Sequence, residues 1–368
     1  MALVTSRTTF SAAALLCALA LGLVTTERPE ASATPTSVVA PAPSPRAVDA
    51  RSSRLPEWAS GLPSDEGLTD AARDRIHHEA LVLARTLPEG SSLRAELFRV
   101  VTDEPRCGRA HAAVASAVLA ESSAAEVRHA LESMRTSCDE VVVEAAGFAR
   151  EVDMDLVMAL ERLAHASGTS AVRRSAWLAY GSSGLTARRA GQSAVAARVE
   201  EAVLASLRGS RGEARDLAVR AAGNAGCARC VPELSRDLAS RDEAVRRAAV
   251  AAFRFVEGPA PVASMCAAVA KDGDDGARDL AAWALAWGTS APAERVVCLE
   301  RAARHDASHR VRVQATSSLA GLSDDVVAAK DALESLADDE GLAVAPFARR
   351  ALEVHDDGRP RPLAVRAP

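Results

Sequence analysis

The chain has 368 residues, a formal net charge of −5 and 48% hydrophobic residues. That apolar content is enough to bury a sizeable core, which excludes a chain that is disordered throughout. The small negative charge argues against a general nucleic-acid binder, because such proteins carry a basic surplus on one face.

The N-terminal segment has the pattern of a secretory signal peptide. Arg7 precedes an apolar stretch over residues 12–24, and an A-x-A cleavage pattern follows at residues 31–33. The apolar stretch is shorter than the roughly 20 residues that a membrane span requires. We therefore predict a signal peptide over residues 1–33 with cleavage after Ala33. The mature protein is then secreted or periplasmic and has no transmembrane segment.

Proline-rich segments flank the central part of the chain. Residues 34–66 carry six prolines among Ser, Thr and Ala, and residues 356–368 carry three more. Such a composition forms an extended tether without a packed core. We predict a disordered linker over residues 34–66 and a disordered tail over residues 356–368, with a folded region over residues 67–355 between them.

The folded region contains one segment type that returns at a regular spacing. Its clearest copy runs from Asp242 to Phe253, an acidic cap followed by a helix with one apolar face, and no segment shows the alternation of a strand. Successive copies are 31 to 34 residues apart, except for one interval of 42. With Val245 as the register mark, the equivalent positions are Ala110, Val141, Val172, Ala214, Ala277, Val311 and Val344.

A period of this length accommodates two helices and two turns, so each repeat is a helical hairpin. A hairpin alone cannot bury its apolar face, whereas stacked hairpins cover one another. We therefore predict an all-α fold, a right-handed α-solenoid of about eight hairpins. The long interval predicts an insertion over residues 182–193, an irregular loop that carries Arg188 and Arg189.

The repeated order of an acid, then Val-Arg, then Ala, then Leu or Phe resembles the HEAT and HEAT-like repeat family over residues 70–353. Four segments also resemble the helical domain of vitellogenin-type large lipid transfer proteins, namely residues 172–182, 221–226, 231–234 and the helix that carries Val245. The first resemblance implies a superhelical scaffold. The second implies a lipid-handling component in which partner sheets complete the cavity.

Six cysteines follow the predicted cleavage site, and an even count indicates disulfides in an exported protein. Two pairs occupy near-equivalent points of adjacent repeats, 31 and 32 residues apart, so neighbouring repeats are one candidate pairing. Equivalent points on stacked helices lie about 8–10 Å apart, whereas a disulfide needs Cα atoms within about 7 Å, so the pairing stays open. The candidates are Cys107 with Cys138, Cys266 with Cys298, and Cys227 with Cys230.

The Cys227-x-x-Cys230 motif lies at the start of a helix. It is either a closed structural disulfide or a redox-active pair whose thiol is activated by the helix N-terminus. A zinc site would need two further ligands at matching spacing, and no His or Cys pair lies nearby in the sequence. We therefore predict no metal and no cofactor.

Two sets of side chains are candidates for contacts with a partner. Arg173, Arg246 and Arg312 recur beside the register mark, and they either form a ladder for an acidic partner or pair with acids such as Asp216 and Asp242 between repeats. A second set lies four residues apart on one helical face, where it forms either an exposed anchor or part of the core. This set is Trp283 and Trp287.

The sequence lacks the G-x-S-x-G and H-E-x-x-H motifs of hydrolases and metalloproteases. We predict an exported, non-enzymatic scaffold that binds an unidentified protein or peptide along its surface. A lipid-handling component is the alternative. A thiol-disulfide oxidoreductase that uses Cys227 and Cys230 is the weaker alternative, since the sequence has no βαβ pattern around this motif.

Overall fold

The computed structural model describes residues 55–134, 138–166, 169–288, 290–323 and 325–356. The predicted signal peptide and its cleavage site, most of the predicted linker and the tail from residue 357 lie outside the described residues. Within these ranges the chain forms seventeen α-helices and three 3-10 helices, without a strand.

The 3-10 helices are Glu57–Ser60, Ala228–Cys230 and Phe253–Phe255. In chain order the α-helices are α1 (Asp70–Thr86), α2 (Ser92–Thr102), α3 (Arg109–Ala120), α4 (Ala124–Ser133), α5 (Asp139–Ala146), α6 (Met154–His165), α7 (Ser170–Arg189), α8 (Ser193–Gly209), α9 (Glu213–Ala225), α10 (Val231–Leu238), α11 (Glu243–Ala252), α12 (Pro259–Lys271), α13 (Asp275–Ala284), α14 (Pro292–His305), α15 (His309–Leu322), α16 (Val327–Asp338) and α17 (Ala345–Asp356).

The helices alternate between two layers. Helix α1 begins the solenoid, and each even-numbered helix from α2 to α16 then forms a hairpin with the odd-numbered helix that follows it. Odd helices stack on odd helices along the chain, and even helices stack on even ones. The final helix, α17, stacks on α15 and packs against α16. The described residues therefore form an α-solenoid of eight hairpins and one further helix, which confirms the fold that the repeat period predicts.

Side-chain caps start many of the helices where the sequence places its acids and hydroxyls. Asp242 accepts a hydrogen bond from the backbone N–H of Ala244 at the start of α11, and Asp274 does the same for α13. Ser123 and Glu126 form a reciprocal capping box on α4. A cap satisfies backbone N–H groups that have no partner within the helix, so these residues fix where each helix begins.

Small residues allow the odd helices to approach closely. The fourth position after the register mark is alanine in seven of its eight copies, and all seven are buried. Gly181 and Gly223 share another repeat position, and a Cβ on Gly223 would lie 2.6 Å from the Cα of Ala252 on the next odd helix. A larger residue at either glycine would push adjacent hairpins apart.

The predicted irregular loop over residues 182–193 is wrong for most of its length. Helix α7 runs without a break from Ser170 to Arg189, so the additional residues lengthen the helix. The extension stays helical because it buries Ser183, Gly184 and Ala187. A Cβ on Gly184 would lie 2.7 Å from Cγ1 of Val199, so this glycine lets α8 pack directly on the extension.

The packed part of the chain begins earlier than the predicted boundary at residue 67. The 3-10 helix Glu57–Ser60 contacts α2, and the side chain of Leu62 is buried. The indole Nε1 of Trp58 donates a hydrogen bond to Glu79, 2.8 Å away. Residues 55–66 therefore belong to the first hairpin and not to an extended tether. Among the described helices, none has the length and apolar character needed to cross a bilayer.

Candidate binding surface

The lengthened α7 carries two arginines past the end of its neighbour α9. Arg188 donates from Nη1 to the carbonyl of Gly226, 2.5 Å away, and its Nη2 pairs with Glu200. The guanidinium of Arg189 lies over the ring of Phe255, 5.9 Å from its centroid. Because α7 belongs to the third hairpin and Phe255 follows α11 in the fifth, the extension reaches across the fourth hairpin.

Phe255 is part of a group of aromatic rings and guanidinium groups on the ends of the odd helices. Its ring meets that of Trp287 edge to face at 5.8 Å, and Trp287 meets Trp283 at 5.6 Å. Arg254 lies 4.8 Å from the Phe255 centroid and 5.7 Å from that of Trp283. We call this group the arginine–aromatic cluster, and it comprises Arg189, Arg254, Phe255, Trp283 and Trp287.

The rings of the cluster differ in how they relate to the hydrophobic core. Trp283 packs against the core, and its Nε1 is buried without a hydrogen-bond partner. Phe255 and Trp287 are half-buried and lie outside the core. The sequence left two alternatives for the tryptophans, an exposed anchor or part of the core. Trp283 packs inward, whereas Trp287 is available as an anchor.

A chain of hydrogen bonds that spans three hairpins holds Arg254 in place. Its Nη2 donates to Oδ1 of Asn224, and its Nη1 donates to the carbonyl of Ala251, 2.8 Å away. Asn224 in turn donates to the carbonyl of Leu178 on α7 at 3.1 Å. A guanidinium that is already fixed loses little conformational freedom when a ligand binds beside it. Arg189, in contrast, is exposed and makes no ion pair with any carboxylate that the structure describes.

The predicted arginine ladder serves mainly to connect repeats. Arg246 forms a bidentate ion pair with Asp272 at the end of α12, with N–O distances of 2.9 and 3.0 Å, and it donates to the carbonyl of Ser240. The hydrogen bond from Arg246 lowers the pKa of Asp272. Arg278 repeats the arrangement with Asp306, at 2.8 and 3.0 Å. The donors of Arg246 are engaged within the solenoid, which favours a role in connecting repeats over contact with a partner.

The other two members of the ladder differ from Arg246. Arg312 donates from Nη1 to the carbonyls of Asp306 and Ala307, at 2.7 and 3.2 Å, so it ties its helix to the preceding turn. Arg173 is exposed near the start of α7, without a hydrogen-bond or ion-pair partner among the described residues. The acids named from the sequence are not the partners of the ladder, since Asp216 pairs with Arg220 and Asp242 caps α11.

The six cysteines lie in three pairs at bonding distance. Cys107 and Cys138 lie just before α3 and α5, and their Cα atoms are 5.0 Å apart. Cys266 on α12 and Cys298 on α14 have Cα atoms 5.6 Å apart. The Cα separation of about 8–10 Å expected from the sequence is too large. That value is the distance between the axes of stacked helices. Facing Cα atoms lie closer together, because each is displaced from its axis by the helix radius of about 2.3 Å.

Cys227 and Cys230 form the third pair, in the turn between α9 and α10, with Cα atoms 5.3 Å apart. Both residues are fully buried. Thiol-disulfide exchange requires a thiolate to reach one of the sulfur atoms. The burial therefore favours a structural disulfide over a redox-active one. No group of His, Cys, Asp and Glu in the described part of the chain has the arrangement of a metal site.

Most of the cluster was not predicted from the sequence. The sequence did not indicate Arg254, Phe255 or the supporting Asn224 as site residues. It placed Arg189 in the predicted loop. The available signal was the stretch from Ser182 to Arg189, which contains no proline and continues the helical composition of α7. If this stretch is helical, Arg188 and Arg189 extend beyond the rest of α7 toward the neighbouring hairpins.

A known family model matches part of the repeat region. Residues 199–286 match the family model described as HEAT repeats, a range that includes Arg254, Phe255 and Trp283. A search of curated proteins finds no match. Together with the stacked hairpins, the repeat match supports a HEAT-repeat solenoid.

Several solved structures are similar to the chain. The X-ray structure of YibA from Escherichia coli is 13% identical, covers 75% of this chain and 96% of that chain, and has a TM-score of 0.40. An engineered protein is 17% identical, with 77% and 84% covered and a TM-score of 0.34. Human deoxyhypusine hydroxylase in complex with glycerol is 15% identical, with 77% and 97% covered and a TM-score of 0.30.

Proposed function

We propose that the chain is an exported, non-enzymatic HEAT-repeat scaffold that binds a protein or peptide partner through the arginine–aromatic cluster. The observation that carries the proposal is the position of Phe255 and Trp287, which lie outside the hydrophobic core beside Arg189 and Arg254. Tryptophan, tyrosine and arginine contribute most to the free energy of protein interfaces. Only 3% of the chain is aromatic, so three rings in one surface group are a concentration of that side-chain type.

The solenoid is suited to this role because its repeats form one continuous surface. The cluster draws residues from the third, fifth and sixth hairpins, so a partner that covers it contacts several repeats at once. Solenoid proteins bind in this manner through extended surfaces that successive repeats create. The ion pairs from Arg246 and Arg278 hold the hairpins in register, which keeps the surface ordered before a partner binds.

Export is part of the proposal, and the paired cysteines support it. Disulfides persist in secreted and periplasmic proteins and are rare in the reducing cytosol. Three pairs at bonding distance agree with the signal-peptide pattern over residues 1–33. Peptide mapping of the mature protein without reductant tests both points, since it reads the first residue and the disulfide connectivity together.

The two alternatives have less support. Lipid handling calls for a contiguous exposed apolar face. The large apolar side chains exposed in the described residues are divided among the second, third, seventh and eighth hairpins, at Phe148, Met154, Met158, Val297, Val327 and Phe347. An oxidoreductase would need an accessible sulfur, and Cys227 and Cys230 are buried.

Site-specific photo-crosslinking tests the proposal. The photoreactive residue p-benzoylphenylalanine replaces Trp287 in one protein and Phe347, which is exposed on α17, in the control. After irradiation with the exported fraction of the native cell, we expect a discrete protein adduct from position 287 and none from position 347. Equal labelling at both positions, or lipid without protein at position 287, would contradict the proposal.

A further inference from the structure

We infer that the segment bound by the arginine–aromatic cluster is an acidic peptide. One of its apolar side chains rests on Phe255 and Trp287, and a neighbouring carboxylate pairs with Arg189. This inference rests on the proposed function, because it names the chemistry of the partner that the same surface binds.

The charge of the cluster is opposite to that of the whole chain. The chain has a net charge of −5, yet the cluster contains two guanidinium groups and no carboxylate among its members. Two acids that neighbour the cluster already have partners. Glu200 pairs with Arg188, and Glu257 accepts hydrogen bonds from Ser290 at 2.5 and 3.2 Å. A cationic segment would therefore meet like charge, which disfavours binding.

The spacing of the cluster fits a carboxylate next to an apolar residue. The guanidinium of Arg189 is 5.9 Å from the Phe255 centroid, and that ring is 5.8 Å from Trp287. Side chains on one face of a bound peptide are separated by about 5–7 Å, whether the peptide is helical or extended. An apolar side chain on the rings thus brings a nearby carboxylate to Arg189, where a bidentate ion pair can form.

Nucleic acid is the less favoured anionic partner. A nucleic-acid strand is held by many phosphate contacts, each made by a separate Lys or Arg. Within the cluster Arg254 is already fixed by Asn224 and Ala251, so Arg189 alone has a guanidinium free for a phosphate. One ion pair beside two half-buried rings is the arrangement that an acidic peptide with an apolar anchor needs.

Fluorescence anisotropy with three labelled probe peptides tests the inference on the full mature chain. The peptides share an alternating pattern with leucine and differ only in the other residue, which is glutamate, glutamine or lysine. We expect the glutamate peptide to bind most tightly. Its Kd should rise roughly threefold to tenfold in Arg189→Glu, and the lysine peptide should gain affinity in the same variant.

Arg211→Glu is the matched control, because Arg211 is an exposed arginine just before α9, at the end of the odd helices opposite the cluster. It should leave all three Kd values unchanged. Equal binding of the three peptides, no binding of any, or tighter binding of a single-stranded oligonucleotide would each overturn the acidic-peptide inference. The proposed function fails through a different result, namely the absence of a protein adduct at position 287.

Discussion

Gly223 on α9 lies against Ala252, the last residue of α11. A Cβ added to Gly223 would lie 2.6 Å from the Cα and 3.0 Å from the carbonyl oxygen of Ala252. Asn224 directly follows Gly223, and Arg254 lies two positions beyond Ala252. The hydrogen bond between these two side chains fixes the guanidinium of Arg254 in the cluster. The close approach of the two helices therefore positions Arg254.

Gly223→Ala should destabilise the protein by about 1–3 kcal/mol, because the added methyl group overpacks the contact between α9 and α11. Thermal or urea unfolding measures the change. Gly321→Ala is the control, since Gly321 lies on α15 with open space around its Cβ position. That variant should gain up to about 1 kcal/mol from the higher helix propensity of alanine. If Gly223→Ala were equally stabilising, the close contact would not exist in solution.

The repeat period predicted the hairpins because the pattern of each helix is local, and the acidic caps at Asp242 and Asp274 mark where helices begin. The end of α7 depends on tertiary contact instead, since residues 182–189 stay helical only where Val199 and the rest of α8 cover them. The cluster depends on that extension. Its members come from three hairpins, so no sequence window contains them together.

Asp274 should make the stability of the protein depend on pH in the acidic range. Hydrogen bonds from Arg247, together with two backbone N–H donors, lower the pKa of Asp274 to about 2. A carboxylate with a lowered pKa stabilises the fold above its unfolded pKa, and this contribution disappears as the pH falls from about 4 to about 2.

Asp274→Asn keeps a side chain that caps α13 but removes the charge. We expect a loss of roughly 1 kcal/mol at pH 7 relative to the native protein, since Arg247 is partly exposed to solvent. The difference should vanish near pH 2. Urea unfolding at a series of pH values measures it, and a constant difference across the series would show that the ion pair is not responsible.

The disulfides should differ in how readily they are reduced. Cys266 and Cys298 are half-buried, whereas Cys227 and Cys230 are fully buried. Under mild reductant followed by alkylation, mass spectrometry should detect labelled Cys266 and Cys298 before labelled Cys227 and Cys230. Replacing both Cys266 and Cys298 by alanine should destabilise the protein by up to about 3–4 kcal/mol, because their disulfide closes a long loop in the unfolded chain. Labelling of the Cys227 pair first would contradict the burial argument.

Trp287→Ala should reduce partner binding more than stability. Trp287 lies outside the hydrophobic core, so its loss should lower the free energy of unfolding by less than about 1.5 kcal/mol. Leu285 is two residues earlier and fully buried, and Leu285→Ala should cost about 2–5 kcal/mol. Unfolding curves and the crosslinking yield at a second cluster position, Phe255, measure the two effects. A large stability loss in Trp287→Ala would assign this ring to packing.

Glu144 on α5 should reduce stability as the pH rises toward neutrality. Burial, with a smaller contribution from Glu140 one turn earlier, raises the pKa of Glu144 to about 7, and its Oε1 is buried without a hydrogen-bond partner. A carboxyl group with a raised pKa holds its proton more tightly in the folded chain than in the unfolded one. Stability therefore falls between about pH 4.5 and pH 7, and the cost persists above that range.

Glu144→Gln removes this cost because the amide stays neutral at every pH. The variant should be more stable than the native protein by on the order of 1–3 kcal/mol at pH 8 and should match it near pH 4. Glu334→Gln, at an exposed site on α16, is the control and should change stability by less than about 0.5 kcal/mol. Unfolding at both pH values separates the outcomes. If Glu144→Gln instead loses stability at pH 8, the ionised Glu144 carboxylate must have a hydrogen-bond or ion-pair partner in solution. Without such a partner, a buried carboxylate destabilises the fold when it is ionised.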